Sequence, residues 1–208
     1  INEGITTENV IYEESYNGTM TTTTALCVRS TLYKLTLTDS VGDGWSSGST
    51  ITISLGLKVL GEYTLSSGSS MDILIHPVVG IVDETPITDC SQLENLSLDA
   101  TSLIMGANVC NSESITEFNL TNYKNIVLVD IGDDNLMYVN TFDITGLNYL
   151  NSLKIGMNSF TTRKSNYGND ESRSFHILNC DELKSIEIGR YSFSDYGGGF
   201  ELKNLPKL

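Results

Sequence analysis

The sequence predicts an all-β-dominated protein: an N-terminal antiparallel β-sandwich followed by an irregular β-solenoid of four to five coils. Three observations predict it. A phrase beginning with Phe recurs through the C-terminal half with a fixed inner spacing. Apolar residues alternate with period two in both halves, as in strands that bury one face. No segment sustains an apolar stripe of helical period, so helices should be scarce.

The first segment, residues 1–24, reads as an extended arm. "INEGITTENVIYEESYNGTM" mixes polar and apolar residues, among them Val10 and Ile11, and finds no partner within its own small module. Residues 25–80 are the expected sandwich. Leu35 and Leu37, then Ile51, Ile53 and Leu55, then Val59, then Ile73 and Ile75 alternate between Gly/Ser turns. Pro77 and Pro86 punctuate the change of period that ends this module.

Residues 85–208 carry the repeat. "FNLTNYKNIVLVDIG" starts at Phe118, "FDITGLNYLNSLKIG" at Phe142, "FHILNCDELKSIEIG" at Phe175, and "FELKNLPKL" at Phe200. A degenerate copy is placed at Thr85, with Ile87, Leu93, Leu96 and Leu98 in the apolar slots. Successive starts are 33, 24, 33 and 25 residues apart, so the framework is constant and the connectors vary. Each copy supplies two short strands, and the Gly closing them is expected to turn a corner at positive φ. One copy cannot bury its own apolar face and must stack on its neighbours at about 4.8 Å.

These phrases, with "LKSIEIGRYSF" the clearest, resemble the leucine-rich repeats of BspA-like surface proteins. The resemblance covers residues 85–208 and implies an extracellular or cell-surface repeat protein. The "DSVGDGW" phrase followed by "YTLSSGSS" resembles a small β module of secreted proteins, with no chemistry implied.

Composition narrows the function. A net charge of −14 and a pI near 4.3 argue against nucleic acid and anionic membrane surfaces as partners. No apolar run approaches the ~20 residues that span a bilayer, so no membrane insertion is expected. The chain starts at Ile1, as a mature or trimmed product would. Sequons stand at Asn17, Asn95 and Asn119, and the repeat register puts Asn95 and Asn119 on outward strand positions where a glycan clears the core. Cys180 falls in an apolar slot and reads as a buried free thiol. Cys90 and Cys110 share one copy, so a bridge closing that end is one option, and a bridge from Cys27 across the junction is another.

Candidate chemistry is sparse. "GWSSG" at residues 44–48 fits the nucleophile-elbow pattern, but an acidic turn and an alternating strand flank it where a parallel strand and a helix are needed. Asp39 and Asp43 echo half of an acidic calcium loop, while Val41 and Thr50 stand where further oxygen ligands belong. Local backbone capping by Asp39, with Trp45 packed over the sheet, is the competing reading. Asn119, Asp143, His176 and Glu201 should stack in one outward column, an exposed polar ladder or, alternatively, a divalent-metal site. Ser97, Asp130, Lys154 and Glu187 form a second expected column of alternating charge.

No catalytic triad, nucleotide loop, zinc signature or basic patch emerges. The chain is therefore expected not to be an enzyme and to require no cofactor, with calcium at Asp39 and Asp43 as the one candidate. Phe200, Leu202, Leu205 and Leu208 begin a repeat without completing it and leave an assembly edge, which Val10 and Ile11 of a neighbour's arm could extend as a strand. The leading expectation is a glycosylated extracellular structural protein that self-associates head to tail into a filament. The alternative is a cell-surface adhesion ectodomain, part of a longer repeat array, that holds a protein or glycan ligand on its outward strand faces.

Overall fold

The computed structural model describes residue 25 and residues 32–55, 58–77, 79–162 and 170–208. The expected arm, with Val10, Ile11 and Asn17, lies outside the described residues, as does Cys27. The fold is dominated by strands. Among the described residues there are thirteen strands and one helix, and no helix is long and apolar enough to cross a membrane.

The N-terminal part holds five strands, β1 (Tyr33–Thr38), β2 (Ile51–Leu55), β3 (Lys58–Tyr63), β4 (Ser70–His76) and β5 (Gly80–Ile81). They form two antiparallel sheets, one of order β1-β4-β5 and one of β2 with β3. Leu35 pairs with Ile73 and Leu37 with Met71, so the alternating apolar residues of β1 and β4 share a face. Leu37, Leu65, Ile73 and Val82 are buried there. Val59, expected on the covered face, is 59% exposed, because β2 and β3 slip register between Ile53 and Ser54.

The C-terminal part begins with the short helix α1 (Cys90–Glu94). Asp89 caps it in a capping box, its side chain accepting from Ser91 N–H while Gln92 reaches back to the backbone. Eight strands follow: β6 (Ser102–Met105), β7 (Glu117–Asn119), β8 (Leu128–Ile131), β9 (Thr141–Thr145), β10 (Ser152–Ile155), β11 (Ser174–Leu178), β12 (Ser185–Ile188) and β13 (Phe200–Lys203). Odd and even strands separate into two parallel sheets, of order β13-β11-β9-β7 and β12-β10-β8-β6. The repeats that start at Phe118, Phe142 and Phe175 thus each give one strand to each sheet, and the chain alternates between them.

Register makes every slot of the repeat a column. Phe118, Phe142, Phe175 and Phe200 are paired in succession, and so are Leu103, Val129, Leu153 and Ile186. Between the sheets, Ile126, Leu147, Leu150, Cys180 and Leu183 are wholly buried. A disulfide joins Cys90 to Cys110 and ties α1 to the corner after β6.

The first copy sits differently from its expected placement. Ile87 bridges Met105 in the second sheet, and the strand matching Val129 is Ser102–Met105, not the segment around Leu96 and Leu98. Helix α1 takes up residues that the register had assigned to strand spacing, and Leu98 is 63% exposed. Ser97 therefore drops out of the charged column, where Ile104 stands beside Asp130. Asn95 is not on a strand either: it is the helix C-cap, its Nδ2 donating to Ser91 O at 2.7 Å.

The closing glycines also work differently. Gly106, Gly132, Gly156 and Gly189 do not adopt positive φ. Gly132, Gly156 and Gly189 have to be small because each stacks on the glycine one repeat before it. A Cβ on Gly156 would stand 2.5 Å from the carbonyl carbon of Gly132, and one on Gly189 2.4 Å from that of Gly156. The left-handed residues come just after, at Asn108, Asp134, Asn158 and Tyr191, and again at Cys110, Leu136, Phe160 and Phe193.

Candidate functional site

Two parts of the molecule are candidates for function: the GDGW turn and the far end of the repeat stack with its outward columns. In the turn, Asp39 Oδ2 accepts from the backbone N–H groups of Gly42, Asp43 and Gly44 at 2.8, 3.1 and 3.2 Å. Burial raises the Asp39 pKa, but the N–H groups of Gly42, Gly44, Val41 and Asp43 outweigh it, and the net effect is a lowering below 3.8. Trp45 Nε1 donates to Thr38 O at 2.9 Å, and Trp45 N to Leu65 O at 2.6 Å. Gly44 must be glycine, since it combines a φ of +92° with backbone atoms 2.6 Å from where a Cβ would stand. Asp43 meets Asp39 through its backbone and bridges Gly68. The arrangement is a self-capped turn in which one carboxylate gathers three amides. Among the described residues no group of three or more His, Cys, Asp and Glu side chains is placed to hold a metal ion.

The stack is organised around aromatic rings. Phe118, Phe142, Phe175 and Phe200 lie face to face, with centroids 5.4, 4.7 and 4.2 Å apart and planes within 11° of parallel. Phe160 and Phe193 form a second parallel pair at 4.7 Å and meet the first column edge-on. This second column was not assigned from sequence. Its signal was present in "GDDNL", "GMNSF" and "GRYSF", where a large apolar residue follows the Gly at a constant distance.

A polar ladder closes the corner beside it. Buried Asn135 donates to Gly106 O and Gly132 O and accepts from Val109 N. Ser159 donates to Gly132 O and accepts from Asn135 N, and Ser192 repeats the arrangement with Gly156 O and Ser159 N. These side chains occupy hydrogen-bonding groups that the tight backbone corner would otherwise bury unpaired. In the long connectors Arg173 and Asp195, both buried, pair at 3.4 Å, and Thr162 adds its N–H and hydroxyl to the carboxylate. Tyr196 donates to Val139 O at 2.6 Å, and burial pushes its phenol pKa well up.

The outward column Asn119, Asp143, His176 and Glu201 is contiguous in register. Asp143 Oδ1 accepts from Thr145 Oγ1 at 2.6 Å, and Asn119 Oδ1 accepts from Thr121 N and Oγ1, so one side-chain oxygen of each is engaged locally. On the other sheet, Lys154 Nζ stands 3.1 Å from Asp130 Oδ2, with Glu187 next in line. Cys180 is a buried thiol, and burial is the main cause of its raised pKa.

Among the described residues, no strand covers the far end of the stack. β13 pairs with β11 on one side and with no described strand on the other. Phe200, Leu202 and Leu208 are 59%, 44% and 53% exposed, and Ile188 of β12 is 39% exposed. Leu205 packs against the core, and Lys207 Nζ holds Glu182 at 2.5 Å across the last turn.

No family model, curated protein or solved structure matches this chain. Its functional reading rests on the geometry above.

Proposed function

We propose that this chain is a non-enzymatic extracellular structural protein. It is a short β-solenoid of the leucine-rich-repeat kind behind a small antiparallel sandwich, glycosylated at its exposed sequons, and its protomers join end to end into a fibre. The observation that carries this reading is the edge of β13: among the described residues no strand lies beside it, and Phe200, Leu202 and Leu208 are exposed while continuing a stack that is fully buried one repeat earlier. Such an edge is a template for pairing with another chain. The disulfide between Cys90 and Cys110 supports an oxidising compartment. Asn119 supports glycosylation, since it is exposed and its side chain points away from the core.

Negative-stain electron microscopy of the purified protein over a concentration series tests the reading. Regular fibres are expected, and Leu202→Glu should abolish them while the monomer stays folded. Dispersed particles at every concentration would sink it. A second reading, a ligand-holding adhesion ectodomain, draws on the Asp130–Lys154–Glu187 column, whose mixed charges lie on an accessible sheet face.

A further inference from the structure

Two sequons lie among the described residues, Asn95-Leu96-Ser97 and Asn119-Leu120-Thr121, and both asparagines are exposed. By motif alone the two are equal. Their amide groups are not employed alike.

Asn119 Oδ1 accepts from Thr121 N at 2.9 Å and from Thr121 Oγ1 at 2.7 Å. Its Nδ2 has no hydrogen-bond partner among the described residues. The sequon's own threonine thus fixes the oxygen, and the nitrogen that would carry a sugar is left to solvent. Side chains alternate along this strand, with Phe118 and Leu120 buried and Asn119 outward. A group added at Nδ2 therefore leaves at right angles to the sheet and moves no core residue. Asp143 pairs with Asn119 in register, about 4.8 Å away, and gives the first sugar a polar floor.

At Asn95 both halves of the motif are taken up by local turns. Its Nδ2 donates to Ser91 O at 2.7 Å and its backbone N to the same oxygen at 3.1 Å, which closes α1. Ser97 Oγ accepts from Asp99 N at 3.2 Å. A sugar on Asn95 has to replace a hydrogen on a nitrogen already bound into the helix end. The two segments also fold at different moments of synthesis. The bonds of α1 join residues close in sequence, whereas β7 has to wait for β9, whose Thr141 pairs with Glu117. Local contacts form first and the chain emerges from its N-terminus, so Asn119 stays unpaired for longer.

We infer that Asn119 is the principal N-glycan attachment site of this chain and that the helix cap keeps Asn95 occupied in only a minor fraction of molecules. This inference rests on the extracellular, glycosylated reading above and ranks its sequons. The donor is a lipid-linked oligosaccharyl diphosphate. Asn119 Nδ2 attacks C1 of its sugar: the N–C bond forms, the C–O bond to the diphosphate breaks, and the lipid diphosphate leaves with the bonding pair. One Nδ2 proton passes to a base of the transferase.

Site-resolved mass spectrometry of the whole chain, secreted by a eukaryotic cell, tests this. Enzymatic deglycosylation in heavy-oxygen water marks each formerly glycosylated asparagine as labelled aspartate. Asn119 should be occupied in most molecules and Asn95 in several-fold fewer. Asp89→Ala removes the capping box and should raise Asn95 occupancy about twofold or more while leaving Asn119 unchanged. Asn95 occupied as often as Asn119 in the parent would overturn the inference, and so would Asn95 occupancy that ignores Asp89→Ala. A secreted chain with neither asparagine occupied would overturn both the inference and the glycosylated part of the reading above; fibres in the electron microscope would still keep its end-to-end part. Dispersed particles that carry the sugar chiefly at Asn119 would support the inference while sinking the fibre.

Discussion

His76 ends β4 and is 1% exposed, its ring 5.2 Å from that of Tyr149 in the repeat stack. A titratable group is therefore built into the junction between the two parts of the chain. Burial lowers its pKa below 6.5, and the nearby Glu182 carboxylate only partly opposes this. The folded state prefers the neutral ring, so the unfolded chain binds the proton more readily. Its contribution to stability is complete above pH 6.5 and is lost as the pH falls from 6.5 towards the folded pKa. The lowered carboxylates Asp39, Asp83 and Asp89 act only near and below pH 3.8, well apart from this window. His76→Phe keeps an aromatic ring against Tyr149 and should flatten the decline of the melting temperature between pH 6.5 and 5. A decline of equal slope in the variant would assign the effect elsewhere. Residue-scale logic also explains the corners. Leu136, Phe160 and Phe193 hold φ between +55° and +58°, a strain of about 1–3 kcal/mol each. It is offset by burying a large side chain beside the phenylalanine column.

At the scale of elements, α1 and its disulfide act together as the cover of the first repeat. The helix has only five residues and buries none of them fully, so it holds its place through the Asp89 capping box and the Cys90–Cys110 bond. The bond closes a loop of 20 residues, worth about 3 kcal/mol in chain entropy. Cys110→Ser should thus destabilise the protein by about 2–3 kcal/mol in a denaturant titration, and protease should then cut first between residues 90 and 100. Cutting that begins instead at β12 or β13 would show that the helix is held without the bond. The period-two alternation made seven of the eight parallel strands legible, all but β6, because a face buried between two sheets leaves its mark on every second residue. Helix α1 was not legible. Five residues carry no helical period, and its capping signal, Asp89 with Gln92, lay inside a segment already assigned to strand spacing.

For the whole molecule, stability should be graded along the stack. A repeat array is held by nearest-neighbour contacts, so a strand paired on both sides opens last. At low concentration, amide hydrogen exchange should be slowest in β8, β9 and β10, whose inward residues are essentially fully buried. It should be faster in β12 and fastest in β13, where all four side chains are exposed. Uniform exchange across all eight strands would instead mark one cooperative unit.

The sequence by itself determined the strand-rich fold, the repeat period and the columns that run through it. Those features are local spacings copied several times, and copying amplifies them above the noise of single residues. Only the tertiary structure decided where the first repeat closes, why the corner glycines are glycines, and that Asp39 caps a turn with one oxygen. Each of these depends on what a neighbouring segment places against the residue, such as a stacked backbone, a cystine partner or a set of amides. No spacing along one chain records such a contact.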